Sequence, residues 1–250
     1  MEHYRKQAEE YGDSPQSTML DLTTRMKETE VILNELLHTR SNARVLEVGC
    51  GNGYMLAKLR SALPDLSLHG IDLCKEMVDL ANSRGLKDVA IVLGEAEDLP
   101  YPDGYFDAVF SERCLINLDS WGGQQKALRE IHRVLKPQGR YVMIECMTDG
   151  WQNLNRARAE VDLPPIPVPF HNLFFEREDF LSFIKDLFDV MDGRNFMSSY
   201  FFGSRVIYPA LIRGREPAYN TSFVEFFKYL EPHGNYGHLY LYVLAKKGGP

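Results

Sequence analysis

From Ala43 onward short apolar runs of β-type residues alternate five times with stretches long enough to be helices. That rhythm is met by parallel strands joined through helices, because a parallel pair needs a crossover between its strands. Strands are expected at residues 43–48, 66–71, 89–93, 106–110 and 141–146, with helical spacing of apolar residues at 55–63, 75–84 and 124–135. The third helix runs into Lys136-Pro-Gln-Gly-Arg140, where Pro137 ends the helix and Gly139 is expected to take the left-handed turn into the next strand. A helix-then-strand signal at 180–190 and an alternating run at 236–246 bring the expected sheet to seven strands.

The flanks read differently. Residues 1–42 predict two helices, the second with an apolar face of Met19, Leu20, Leu22, Met26, Val31, Ile32, Leu33, Leu36 and Leu37, forming a lid on one side of a ligand crevice. After Cys146 a helix is expected at 151–161 and a proline-stiffened extended segment at 163–170, so 147–235 forms an elaboration before the final strand and tail at 236–250. A chain of 250 residues fits one domain of this kind, with 43–146 as its core. The net charge of −7 argues against nucleic acid or an anionic membrane as partner, since phosphate binding draws on clustered Lys and Arg. The N-terminus is too charged for a secretory leader and no apolar run reaches bilayer length, so a cytoplasmic protein is expected, as a monomer or homodimer. Cys50, Cys74, Cys114 and Cys146 have no metal-ligand spacing and are expected to be reduced.

Open α/β sheets bind ligands outside the carboxyl ends of their strands. Those exits carry Glu47-Val-Gly-Cys-Gly-Asn-Gly53, Asp72, Glu95-Ala-Glu-Asp98, Ser111-Glu-Arg113 and Glu145. Gly49, Gly51 and Gly53 between a strand and a helix allow close backbone approach, and Asp72 ends the next strand about twenty residues on, where a carboxylate can take both ribose hydroxyls. Together they imply an adenosine-type ligand. The glycines are spaced G-x-G-x-G and Glu47 stands two residues before the first; a carboxylate there repels pyrophosphate and suits an ammonium group such as that of a methionine moiety.

Val45-Leu-Glu-Val-Gly-Cys-Gly-Asn-Gly53 resembles the first motif of class I S-adenosylmethionine-dependent methyltransferases. Gly70-Ile-Asp-Leu73, Glu95-Ala-Glu-Asp-Leu-Pro-Tyr101 with Phe106-Asp-Ala-Val-Phe110, and Leu128-Arg-Glu-Ile-His-Arg-Val-Leu-Lys-Pro-Gln-Gly139 resemble its later blocks, in order, over about 43–145. The resemblance implies a Rossmann-like sheet and S-adenosylmethionine as cofactor. It implies that the backbone of Gly49, Cys50, Gly51 and Gly53 holds the methionine part, Asp72 the ribose, Leu73 an adenine face, Glu95 the exocyclic amine and Ala96 the ring. Ser111 at the fourth exit is grouped with these cofactor-binding residues, and Arg25 is expected to reach the cofactor carboxylate from the lid. Where many members with small-molecule acceptors carry a histidine after the fourth strand, this chain has Cys114-Leu-Ile-Asn117.

The acceptor is expected to be a small metabolite, methylated on N or O, in a pocket drawn from Trp151, Asn155, Arg158, His171 and Arg205. His171 is the expected general base, with Glu145 the alternative. A nucleic-acid methyltransferase usually carries an Asn/Asp-Pro-Pro-aromatic run where this chain reads Ser111-Glu-Arg-Cys114. A protein that binds the cofactor without catalysis is compatible with the same residues.

Overall fold

The computed structural model describes residues 2–12, 14, 21–213 and 215–248. A seven-stranded sheet runs through the chain: β1 Arg44–Val48, β2 Ser67–Asp72, β3 Val89–Leu93, β4 Phe106–Glu112, β5 Leu135–Cys146, β6 Phe188–Arg194 and β7 Leu239–Lys246. Its order is β3-β2-β1-β4-β5-β7-β6. All neighbours are parallel except β7, which runs antiparallel to both β5 and β6 between which it lies. The seven expected strands are all present, and the order reverses between β1 and β4, where Val48 pairs with Ser111.

Central strands have no solvent face, so they read as continuous apolar runs rather than alternating ones. Thus Val45–Val48 of β1, Tyr141–Cys146 of β5 and Leu239–Leu244 of β7 are buried residue after residue. Helices α1 Glu2–Tyr11, α2 Leu22–Leu36, α3 Tyr54–Ala62, α4 Lys75–Ser83, α5 Trp121–Val134, α6 Thr148–Ala159 and α7 Arg177–Ile184 surround the sheet. Helix α5 starts three residues before the expected 124 because Ser120 caps it, accepting from the Gly123 N–H at 3.1 Å. Residues 198–211 are helical with a π stretch at Gly203–Ile207. No helix among the described residues is long and apolar enough to cross a membrane.

Two expectations fail here for local reasons. After α5 the left-handed residue is Gln138 (φ +63°), not Gly139; a Cβ on Gly139 would lie 2.8 Å from the Lys136 carbonyl oxygen, so the glycine serves close approach instead. Helix α2 buries Thr23, Thr24, Arg25, Glu28, Thr29, Ile32 and Leu36, while Met26 and Leu37 of the expected apolar face are more than half exposed. Met19 and Leu20 lie outside the described residues. Ile32 and Leu36 of that face do join the core, with Val31 and Leu33 packed against it, while Arg25 nearer the start of the helix lines the cavity.

Candidate active site

The first βα turn sits at the strand-order reversal. Gly49 N donates to the Ile71 carbonyl at 2.8 Å, which folds the turn back on β2. Its φ is +77°, and a Cβ there would come within 2.4 Å of Cys114 Sγ, so glycine is required on both counts. Asp72 fastens the same turn: Oδ2 accepts from Gly51 N at 2.8 Å and Oδ1 from Cys74 N at 2.9 Å. Burial pushes the Asp72 carboxyl above the ordinary carboxylate range, against the pull of these bonds.

A cavity of 580 Å³ opens over this turn. One end is walled by Asp72, Leu73, Glu95, Ala96 and Glu97; the middle by Glu47 and Gly49 to Asn52; the far end by Arg25, Glu112, Arg113, Cys114 and Asn117. Glu47 is buried, its Oε2 has no hydrogen-bond partner, and burial raises its pKa well above the usual range, with the Arg25 charge opposing the rise. Arg25 is also buried and stacks 4.7 Å from the Tyr54 ring. It pairs with Glu112, while its Nε has no partner. Arg113, itself at φ +51°, grips Glu28 of α2 with Nε at 2.8 Å and Nη2 at 3.3 Å, and reaches Glu112 Oε1 at 3.2 Å.

Residues 46–143 match the family model of the methyltransferase domain. Over 139 residues the chain is 32% identical to 27-O-demethylrifamycin SV methyltransferase of Amycolatopsis mediterranei, a match covering 53% of this chain and 48% of that protein. Over 108 residues it is 37% identical to demethylmenaquinone methyltransferase of Deinococcus radiodurans, covering 42% and 44%. The matches thus span about half the length of these relatives or less. The PH0226 protein of Pyrococcus horikoshii OT3 has the same fold, with a TM-score of 0.63 at 17% identity over 99% of each chain. The chain carries a class I S-adenosylmethionine-dependent methyltransferase domain.

The residues of this methyltransferase domain fit its cofactor. Glu47 and Arg25 both line the cavity, each with a buried polar atom that has no hydrogen-bond partner, and their charges are complementary to an ammonium and a carboxylate, the two charges of a methionine end. Of the residues expected to bind the cofactor, Arg25, Glu47, Gly49, Cys50, Gly51, Asp72, Leu73, Glu95 and Ala96 all line the cavity. Burial pushes the Cys50 thiol up, so it stays protonated there.

Gly53 and Ser111 do not line it. Gly53 begins α3 at φ +73°, and its missing Cβ lets Ala81 of α4 approach, to 3.0 Å from where that Cβ would be. Ser111 points the opposite way from Glu112, as neighbours on a strand must, and bonds Tyr141 Oη and Glu145 Oε1 at 2.8 Å each. Glu145 is not placed as a base. It is fully buried and accepts from Ser111 Oγ and from the N–H groups of Cys114, Leu115 and Ile116, thereby shaping the turn after β4. His171 is half-buried against the exposed Phe170 ring and is absent from the cavity wall; its neighbour Asn172 donates to Asn117 Oδ1 at 2.8 Å.

The rest of the expected acceptor pocket turns out to be a set of clamps. Asn155 holds both polar groups of the Ile166 backbone at 2.9 and 3.0 Å, and Arg158 bonds the Pro164 and Arg205 carbonyls, fixing the proline segment. Arg205 pairs with Asp21 at 2.5 Å, and Trp151 packs in the core. Asp21 caps α2 through Thr24 N at 3.0 Å and also takes the Tyr200 hydroxyl at 2.9 Å. Asn52, Glu112, Arg113 and Asn117 were not singled out from sequence. The alternation of side chains along β4 is the signal that favours Glu112 over Ser111.

Proposed function

We propose that this protein transfers the methyl group of S-adenosylmethionine to an oxygen or nitrogen of a small metabolite. The observation that carries the reading is the buried, unbonded Glu47 carboxylate oxygen in a cavity that Arg25, Asp72 and Glu95 also line. On this reading Glu47 takes the ammonium, Arg25 the carboxylate, Asp72 the ribose hydroxyls and Glu95 the adenine amine. The bound sulfonium supplies an electrophilic methyl. The chain's part is to hold the acceptor in line with it and exclude water, an effect worth about 7–11 kcal/mol where geometry is good. Helix α2 contributes to that cover through Arg25 near its start. A small acceptor is supported by the relatives named for demethylrifamycin SV and demethylmenaquinone, and by the acidic chain.

Titration calorimetry with S-adenosylhomocysteine tests the reading. Glu47→Gln is expected to weaken binding by about 1.5–3 kcal/mol, the range for a hydrogen bond to a charged group. An unchanged affinity rejects the assignment of Glu47, and saturable binding of NAD in place of S-adenosylhomocysteine rejects the cofactor.

A further inference from the structure

Glu112 is the third group on the cavity wall with a buried polar atom that nothing in the protein satisfies. It stands at the tip of β4 with its side chain 3% exposed. Its Oε1 is held by Arg113 at 3.2 Å and its carboxylate pairs with Arg25, while Oε2 has no partner. A desolvated acceptor costs about 1–3 kcal/mol when left unbonded, so it is a place where a ligand's donor is recovered. With Glu47, Arg25, Asp72 and Glu95 assigned to the cofactor as above, Glu112 is the remaining lining residue with an unbonded acceptor. The charges around it come from three elements: Arg25 and Glu28 on α2, Arg113 after β4, and Glu47 on β1.

We propose that Glu112 is a catalytic residue that receives the proton of the methyl acceptor, and that the acceptor is a hydroxyl compound. Arg25 and Arg113 both sit on the Glu112 carboxylate, so an ammonium entering beside it has two guanidinium groups as neighbours. A neutral hydroxyl meets no such repulsion, and the same guanidinium groups stabilise its oxygen as the proton leaves. In the transfer the oxygen–carbon bond forms as the carbon–sulfur bond breaks with its electron pair staying on sulfur. The hydroxyl proton passes to Glu112 Oε2. Positive sulfonium and negative carboxylate disappear together, leaving a methyl ether, a neutral thioether and a protonated Glu112.

The inference rests on the methyltransferase reading, and the test separates the two. S-adenosylhomocysteine affinity is measured by calorimetry for the parent, Glu112→Gln and Glu112→Asp. Turnover of methyl-labelled S-adenosylmethionine is measured against a panel of phenols, hydroxyquinones and secondary alcohols beside primary and secondary amines. Affinity within about threefold of the parent, with kcat on a hydroxyl acceptor lowered about 10²–10⁴-fold in Glu112→Gln and partly restored in Glu112→Asp, is the expected result. Turnover confined to amines, an unchanged kcat in Glu112→Gln, or an affinity that falls in step with kcat overturns it. A parent that binds no S-adenosylhomocysteine removes the methyltransferase reading, and this proposal with it.

Discussion

Replacing Glu145 with Gln separates a structural carboxylate from a catalytic one through the pH dependence of folding. In the native protein burial lifts Glu145 from an ordinary 4.5 to about 7, even though four donors favour its ionised form. A native pKa above the unfolded value means that the folded state binds the proton more tightly. The stabilisation is therefore complete below about pH 4.5 and is lost as pH rises through about 7. At 1.36 kcal/mol per unit the loss is about 3 kcal/mol. Glutamine keeps the shape without the charge, but whichever way its amide lies, its N–H groups meet a backbone N–H, either that of Ile116 or those of Cys114 and Leu115. That costs about 1–3 kcal/mol. At pH 5 the variant should be less stable than the parent by this amount, and by pH 8 the deficit should vanish or reverse, because only the parent must then bury a charge. Urea unfolding followed by the fluorescence of Trp121 and Trp151 at the two pH values measures it. A deficit of the same size at both would refute the argument, since the other raised carboxyls, Glu47 and Asp72, are common to both proteins.

Gly53→Ala should cost about 1–3 kcal/mol in urea unfolding, from its positive φ and the crowding of Ala81, yet leave S-adenosylhomocysteine affinity within about threefold; a large selective loss of affinity would return Gly53 to the binding loop. His171→Ala should keep kcat within about threefold on any accepted substrate, and a loss of two orders of magnitude would show that the ring reaches the acceptor.

The strand plan was legible because burial on both faces writes itself as unbroken apolar runs, as in residues 141–144 and 239–244. The glycine turn and Asp72 were legible because they depend on local backbone geometry within one βα unit. What sequence could not give was direction across distance. The apolar face predicted for helix α2 holds at Ile32 and Leu36, but the burial of Glu28 beside them depends on its pair with Arg113, formed across 85 residues. Glu145 has the residue type and the strand exit of a base. Only the fold shows that the turn after β4 wraps its carboxylate in N–H groups. Arg205 and Arg158 look like substrate contacts in a chain of unknown shape and are tethers in the folded one.

The antiparallel placement of β7 has a consequence for how the chain is made. Its partners β5 and β6 both precede it, so β5 and β6 cannot be joined until residues 239–246 have left the ribosome. During synthesis the parallel half can assemble in order, but the flank of β5 carrying Tyr141 to Cys146 stays open, an apolar edge of the sort that pairs with other chains. A ribosome stalled or a message cut before Leu239 would not yield a protein missing a tail. It would yield a sheet opened through its interior, with the edge of β5 unpaired.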